Sequence, residues 1–317
     1  MSSTYTVPFK VPVDNVLKKI ILAFQFAYGI ASFFLMIYMF IHLARSKKYS
    51  NSFYRLVQVD LIVNTVCWCN TWISVRSFDL EIGENYLTFF EKWLPGTWNV
   101  SAFLANFFFH MQFCSAAAMS VHRVTAIFFY STYDKFWRRW FLFVYLLLIG
   151  YSILPQLGGL PSKLSLVNET LYITTNIELN SASGKRLAIC AVVYFVLLIA
   201  LGGTVARIAF KKLEAIHGTN GDQSVSKKLT KIALTYAILY SGIPMWTIGN
   251  FVHTNFIAMP LSVYEIWNAL MTVASDMITL SLPYVLLLFD MNIKSDVKRT
   301  TTLAVIPSVM PTQTVFM

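Results

Sequence analysis

Charge is what this chain has least of. Only 13% of its 317 residues are Asp, Glu, Lys or Arg, and 56% are hydrophobic. A soluble domain carries about 25% charged residues, so the composition requires a membrane. Cysteine is scarce: Cys67, Cys69, Cys114 and Cys190 all fall within apolar stretches. None is placed where oxidation would favour a disulfide, and the four read as small packing residues rather than a redox or metal site. The five histidines, His42, His110, His122, His217 and His253, are scattered along the chain. That scatter counts against a membrane enzyme built on a histidine cluster. No lysine lies between Ile266 and Phe289, which excludes a retinal Schiff base on the last apolar stretch. No inverted repeat relates the two halves, which weighs against a transporter. No catalytic residue, metal or cofactor is expected.

What is present is a set of seven apolar stretches: Ile20–Leu43, Leu56–Val75, Val100–Val121, Trp140–Leu160, Leu187–Ala206, Ile232–Val252 and Ile266–Phe289. Each is about long enough to cross a hydrocarbon core of roughly 30 Å as a helix. The net charge of +10 does not form a nucleic-acid patch. Instead, 17 of the 25 Lys and Arg fall after the first, third, fifth and seventh stretches. Positive charge is retained in the cytoplasm during insertion, so those connections are expected inside. The expected fold is therefore an all-α seven-transmembrane-helix bundle with the N-terminus outside and the C-terminus cytoplasmic. Residues 1–19 would be extracellular, 20–289 the bundle and 290–317 the tail. The first stretch reads as an uncleaved signal-anchor, because no small-residue cleavage site follows it.

Two N-x-[ST] sequons agree with this map: Asn99-Val100-Ser101 and Asn168-Glu169-Thr170 both fall outside. Asn168 lies mid-loop, whereas Asn99 abuts the third stretch. The alternation Leu171-Tyr172-Ile173-Thr174-Thr175 suggests a short strand or hairpin. The basic ends of the fifth and sixth stretches suggest helices that continue into the cytoplasm and meet at a flexible tip at His217–Asp222. Residues 290–294 suit an interfacial helix. The Thr- and Ser-rich remainder reads as disordered, with Thr300, Thr301, Thr302, Ser308, Thr312 and Thr314 as phosphorylation candidates.

Functional candidates are the polar residues that the apolar stretches must bury. A carboxylate at mid-span costs about 2.5–3.5 kcal/mol and must face the bundle interior. Asp60, with Asn64 one turn on, suits a polar switch or ion site. Asp276 shares a face with Thr272 and Thr279. Asn106, His110 and Phe113 follow i, i+4, i+7 spacing among aromatics, a face suited to a small-ligand pocket. Pro244 and Pro283 should kink their helices, and Trp246 beside Pro244 could sense a ligand. The expected ligand pocket is Asn106, His110, Phe113, Trp246 and Asp276.

Arg123 stands at the inner end of the third stretch, as does the G-protein-facing arginine of rhodopsin-like receptors. His122 occupies the place where those receptors usually have an acid. The segment Ser52-Phe53-Tyr54-Arg55-Leu56 leading to Val59-Asp60 and Asn64, together with the run Met119–Phe141, resembles the nematode serpentine chemoreceptors, most closely class gamma. The resemblance implies a plasma-membrane receptor, in sensory cilia or dendrites, for an odorant or pheromone. It further implies a heterotrimeric G protein as partner, engaged by Arg123 and the inner ends of the third, fifth and sixth helices. Departures are plain: no Asn-Pro-x-x-Tyr ends the seventh stretch, and no cysteine pair ties the third to the long outer loop. The competing reading from the residues alone is a ligand-gated channel or transporter with Asp60 and Asp276 on an ion path.

Overall fold

The computed structural model describes residues 4–9, 16–80, 82–129, 131–217, 223–257 and 259–297. Nine longer helices and three strands are labelled among them. The helices are α1 (Val16–Arg45), α2 (Ser52–Ser74), α3 (Gly83–Trp93), α4 (Thr97–Phe128), α5 (Tyr133–Ile153), α6 (Ile177–His217), α7 (Gln223–Asn255), α8 (Leu261–Leu280) and α9 (Leu282–Phe289). The strands are β1 (Thr4–Pro8), β2 (Ser162–Val167) and β3 (Thr170–Asn176). The loop tip at 218–222 and the tail phosphorylation candidates lie outside the described residues.

Five helices are long and apolar enough to cross a membrane: α1, α4, α5, α6 and α7. A sixth span is formed if α8 and α9 are joined across the 48° bend between them. That bend matches the kink expected from Pro283, which sits in the first turn of α9, where its missing N–H breaks no intrahelical bond. Helix α2, expected as a seventh span, is less apolar than the other six. The reason is on its inner face: Asp60, Asn64, Asn70, Thr71 and Ser74 are all buried. Packed among α1, α4, α5 and α8, α2 is polar inward, so hydropathy alone understates it.

Boundaries move where local chemistry intervenes. The fourth apolar stretch forms a helix only to Ile153, because Pro155 opens a short 3-10 turn at Leu154–Gln156. Helix α6 runs 41 residues, about 60 Å at 1.5 Å per residue, well beyond the hydrocarbon thickness. Residues 291–297 are helical, as the start of the tail suggested.

One end of the bundle is covered by a three-stranded antiparallel sheet of order β1-β3-β2. The hairpin was expected, but β1 was not. Asn168 and Glu169 form the two-residue turn, with φ of 49° and 62°, the geometry a tight hairpin demands. Leu164 and Leu171 press into a small core with Phe9, Leu87 and Trp98. Leu87 belongs to α3, an amphipathic helix in a segment that reads as a loop by sequence. Beneath it Glu91, only 5% exposed, accepts from the backbone N–H groups of Gly96 (2.7 Å) and Trp98 (2.9 Å). It thereby satisfies donors at the start of α4 that Gly96 has no side chain to cap.

Candidate ligand pocket and transmission face

Asn106, Phe113 and Trp246, expected in one pocket, do meet. They line a cavity of about 120 Å³ between α2, α4, α6, α7 and α8. Its walls are mainly apolar, including Phe109, Leu187 and Ile278, with Thr71, Gln112, Ser275 and Thr247 as polar points. The indole N–H of Trp246 is buried without a hydrogen-bond partner among the described residues, and the residue follows Pro244 within α7 by two positions. A few polar groups on an apolar wall are what orients a small guest.

His110 is displaced from this pocket. Its Nδ1 is 2.7 Å from the Tyr194 hydroxyl, which lies 2.7 Å from that of Tyr151. The ring borders a neighbouring cavity of about 410 Å³ between α4, α6 and the turn after α5. Asn106 and Leu187 line both cavities.

Asp276 does not line the pocket either. It forms an ion pair with Arg76 in which both side chains are almost fully buried, and it accepts a 2.6 Å hydrogen bond from Tyr28. Arg76 also bonds Thr71 and lies over the Trp72 ring. The pair therefore ties α1, α2 and α8 together. Arg76 reads as a loop residue by sequence, because it follows the second apolar stretch. The signal that could have found it is the unpartnered Asp276 itself: a buried carboxylate requires a cation, and Arg76 is the basic residue closest after α2.

Asp60 accepts from Asn64 Nδ2 at 3.1 Å. Asn64 Oδ1 accepts in turn from Gln112 Nε2 at 2.8 Å, and the same amide group donates to Thr279 at 2.9 Å. This network joins α2, α4 and α8. Ser115, fully buried, stands beside the Asp60 carboxylate. No hydrogen bond joins this network to that of Asp276 among the described residues.

Arg123 borders a third cavity, of about 360 Å³, at the end of the bundle away from the sheet. Phe53, Tyr54, Tyr236, Leu286 and Asp290 share it. The guanidinium lies 5.4 Å from the Phe53 ring centre and 6.0 Å from that of Tyr236. It has no ion pair among the described residues. Neighbouring His122 is buried and bonds Ser52 at 2.9 Å, in keeping with a motif that lacks an acid. Beside this cavity, Tyr54 donates to Asp290 (2.6 Å) and Tyr49 to Asp296 (2.6 Å), and Lys48 pairs with Asp296 at 2.9 Å. The Tyr49 hydrogen bond and the Lys48 ammonium hold the Asp296 carboxyl below its ordinary range. Burial, with that same bond to Asp296, pushes the Tyr49 hydroxyl above its own.

The two sequons differ in setting. Asn168 is exposed at the hairpin turn. Asn99 lies within α4 with both ends of its amide engaged: Nδ2 donates to Leu164 O at 3.1 Å and Oδ1 accepts from Leu164 N at 3.0 Å.

Comparison with known proteins bears on the whole chain. A family model described as Srg family chemoreceptor matches residues 22–297. The Caenorhabditis elegans protein named Serpentine receptor class gamma-47 is 34% identical over 272 residues, which is 85% of this chain and 87% of the relative. A second protein from the same organism, Serpentine receptor class gamma-53, is 32% identical over 278 residues, covering 86% and 88% respectively.

Proposed function

Given that the chain belongs to the Srg family of chemoreceptors, a family of membrane receptors and not of enzymes, we propose that it binds a small odorant or pheromone within the helix bundle. Binding is then reported to a heterotrimeric G protein at the Arg123 end. The observation that carries this reading is the placement of two cavities on one helix. Helix α4 presents Asn106 and Phe113 to the inner pocket and Arg123 to the opposite cavity. Seventeen residues separate Asn106 from Arg123, about 26 Å along a helix. A displacement at one end is delivered to the other by a single rod.

The inner pocket supports a mechanism. Its 120 Å³ is well below the roughly 300–1,000 Å³ of small-molecule sites, so a ligand has to displace the wall to enter. Trp246 is the movable part of that wall, and its free N–H offers the ligand a hydrogen bond. Pro244, two residues away, weakens the α7 ladder at the same level and lets the helix below it swing. Tyr236 on α7 faces Arg123, so that swing opens the Arg123 cavity. The Asp60–Asn64–Gln112–Thr279 network joins α2, α4 and α8 between the two cavities and acts as the switch. In this reading α2 is the seventh span, the sheet end is extracellular and the receptor resides in the plasma membrane.

The test is a screen of candidate odorants and pheromones with a calcium or cAMP readout, repeated on Arg123→Ala and Trp246→Ala. The expected result is loss of G-protein signalling in Arg123→Ala with surface delivery and ligand binding intact, and weakened binding in Trp246→Ala. A ligand-gated current that persists without G proteins in Arg123→Ala would sink the proposal in favour of a channel.

A further inference from the structure

The roomier of the two cavities at Asn106 is the lateral one, and its lining is chemically specific. At about 410 Å³ it is within the range of sites that hold one small molecule. Leu154, Pro155, Leu187, Ile189 and Cys190 make most of its surface apolar. Leu154, in the turn after α5, and Ile189, on α6, are 60% and 64% exposed, on the side that the bundle leaves uncovered. The cavity is therefore reached from the hydrocarbon side, between α6 and the turn after α5.

Its polar lining is Asn106, His110, Gln156, Ser183 and Arg186. Both side-chain polar atoms of Gln156 are buried and have no hydrogen-bond partner among the described residues, although a buried amide left unpaired is costly. Arg186 lines the same cavity, is exposed, and has no acidic partner among the described residues. It stands just before the apolar run that begins at Leu187, at the depth where a membrane interface meets the core. A single guanidinium matches one carboxylate, which accepts two parallel hydrogen bonds from it, and the Gln156 amide lines the same cavity as a further donor. A phosphate, with more charge and more oxygens, would ask for a second cation that the lining does not supply. With Nδ1 facing Tyr194, His110 has only Nε2 to offer a guest.

We propose that this lateral cavity binds a single-chain amphiphilic carboxylic acid, its carboxylate held by Arg186 and Gln156 and its chain lying along Leu187 and Ile189. The inference rests on the chemoreceptor reading and names the ligand class for it. Leu187 and Asn106 are the shared wall with the inner pocket, so a chain lodged here presses directly on the side that faces Trp246.

Decanoic acid and its methyl ester, titrated at neutral pH into the full chain in phosphatidylcholine nanodiscs, provide the test. The acid is expected to bind about tenfold or more tightly than the ester, the worth of one charge-assisted hydrogen bond. Arg186→Gln should remove that preference while leaving ester binding in place, and Arg186→Lys should recover part of it. Because Arg186 is exposed, its variants should melt as the wild type does. Equal affinity for acid and ester, or a preference that survives in Arg186→Gln, would overturn the proposal. So would loss of acid binding when phosphatidylserine is added to the nanodisc, which would assign the cavity to a lipid headgroup. The readout is binding alone. Acid preference without G-protein signalling would count against the signalling reading and leave this site standing.

Discussion

Arg76 and Asp276 form an ion pair whose side chains are 1% and 2% exposed, and it joins the end of α2 to the middle of α8. Removing one member strands the other in a medium of low dielectric, a loss of about 3–5 kcal/mol. Arg76→Ala and Asp276→Asn should each lower thermal stability in nanodiscs and reduce surface delivery. The double variant Arg76→Met/Asp276→Leu, which leaves no charge behind, should melt closer to the wild type than either single change. A double variant no better than the worse single one would show that the pair's geometry, rather than its charge balance, carries the stability.

The helix at 291–297 is held at its far end by acid–base chemistry. The Asp296 carboxyl is depressed in the folded chain, so its contribution is present above the ordinary carboxylate value of about 3.9 and is lost as pH falls through the folded value. Tyr49 is raised, so its contribution is complete below the ordinary tyrosine value of about 10 and fades only as pH rises through the folded one. The anchor is thus intact across the neutral range. Hydrogen exchange at pH 7 should be faster over residues 291–297 in Asp296→Asn and Tyr49→Phe than in wild type. Equal exchange in all three would refute the anchoring role.

Glycosylation should distinguish the two sequons. Asn168→Gln is expected to remove a glycosidase-sensitive gel shift, because the hairpin turn exposes that side chain. Asn99→Gln should leave the shift unchanged and instead lower the melting temperature, since two hydrogen bonds from α4 to β2 depend on its amide. A loop around Asn168 that stays unmodified and is labelled only from the cytosol would reverse the orientation.

Gly249 tests whether the wall near Trp246 is tightly set. A Cβ at this position would fall 2.2 Å from Cζ2 of Trp267, and Trp267 in turn donates to the Trp246 carbonyl at 3.4 Å. Overpacking of this kind costs about 1–3 kcal/mol. Gly249→Ala should destabilise the protein by that amount and shift ligand response, while Gly203→Ala, whose Cβ would meet nothing within 4 Å, should do neither.

Much of this architecture was legible because the membrane imposes a simple rule. Long apolar runs had to become helices, and six of the seven did so with only their ends displaced. The Asn106–Phe113 face was readable because i, i+4, i+7 spacing fixes direction on a helix. Two kinds of feature escaped. Helix α3 and strand β1 are short, and their burial depends on partners distant in sequence: Leu87 meets Leu164, and Thr4 pairs with Asn176. Arg76 escaped for a different reason. Its place after an apolar run makes it look solvated, and only the fold shows that the 3-10 turn at Arg76–Phe78 carries it back toward Asp276. Asp276 was assigned to the pocket for the converse reason, since a mid-span carboxylate signals burial without indicating which neighbour answers it.

The strand β1 also constrains the order of events during synthesis. Its residues precede the bundle, yet Thr4 pairs with Asn176 and Pro8 with Tyr172, so the strand waits, unpaired, until the five helices α1–α5 and then β3 have been made. A pairing this remote is slow to form and easily diverted. Anything fused ahead of Thr4 has to be carried through that wait, and a bulky leading tag would compete with the closing of the sheet.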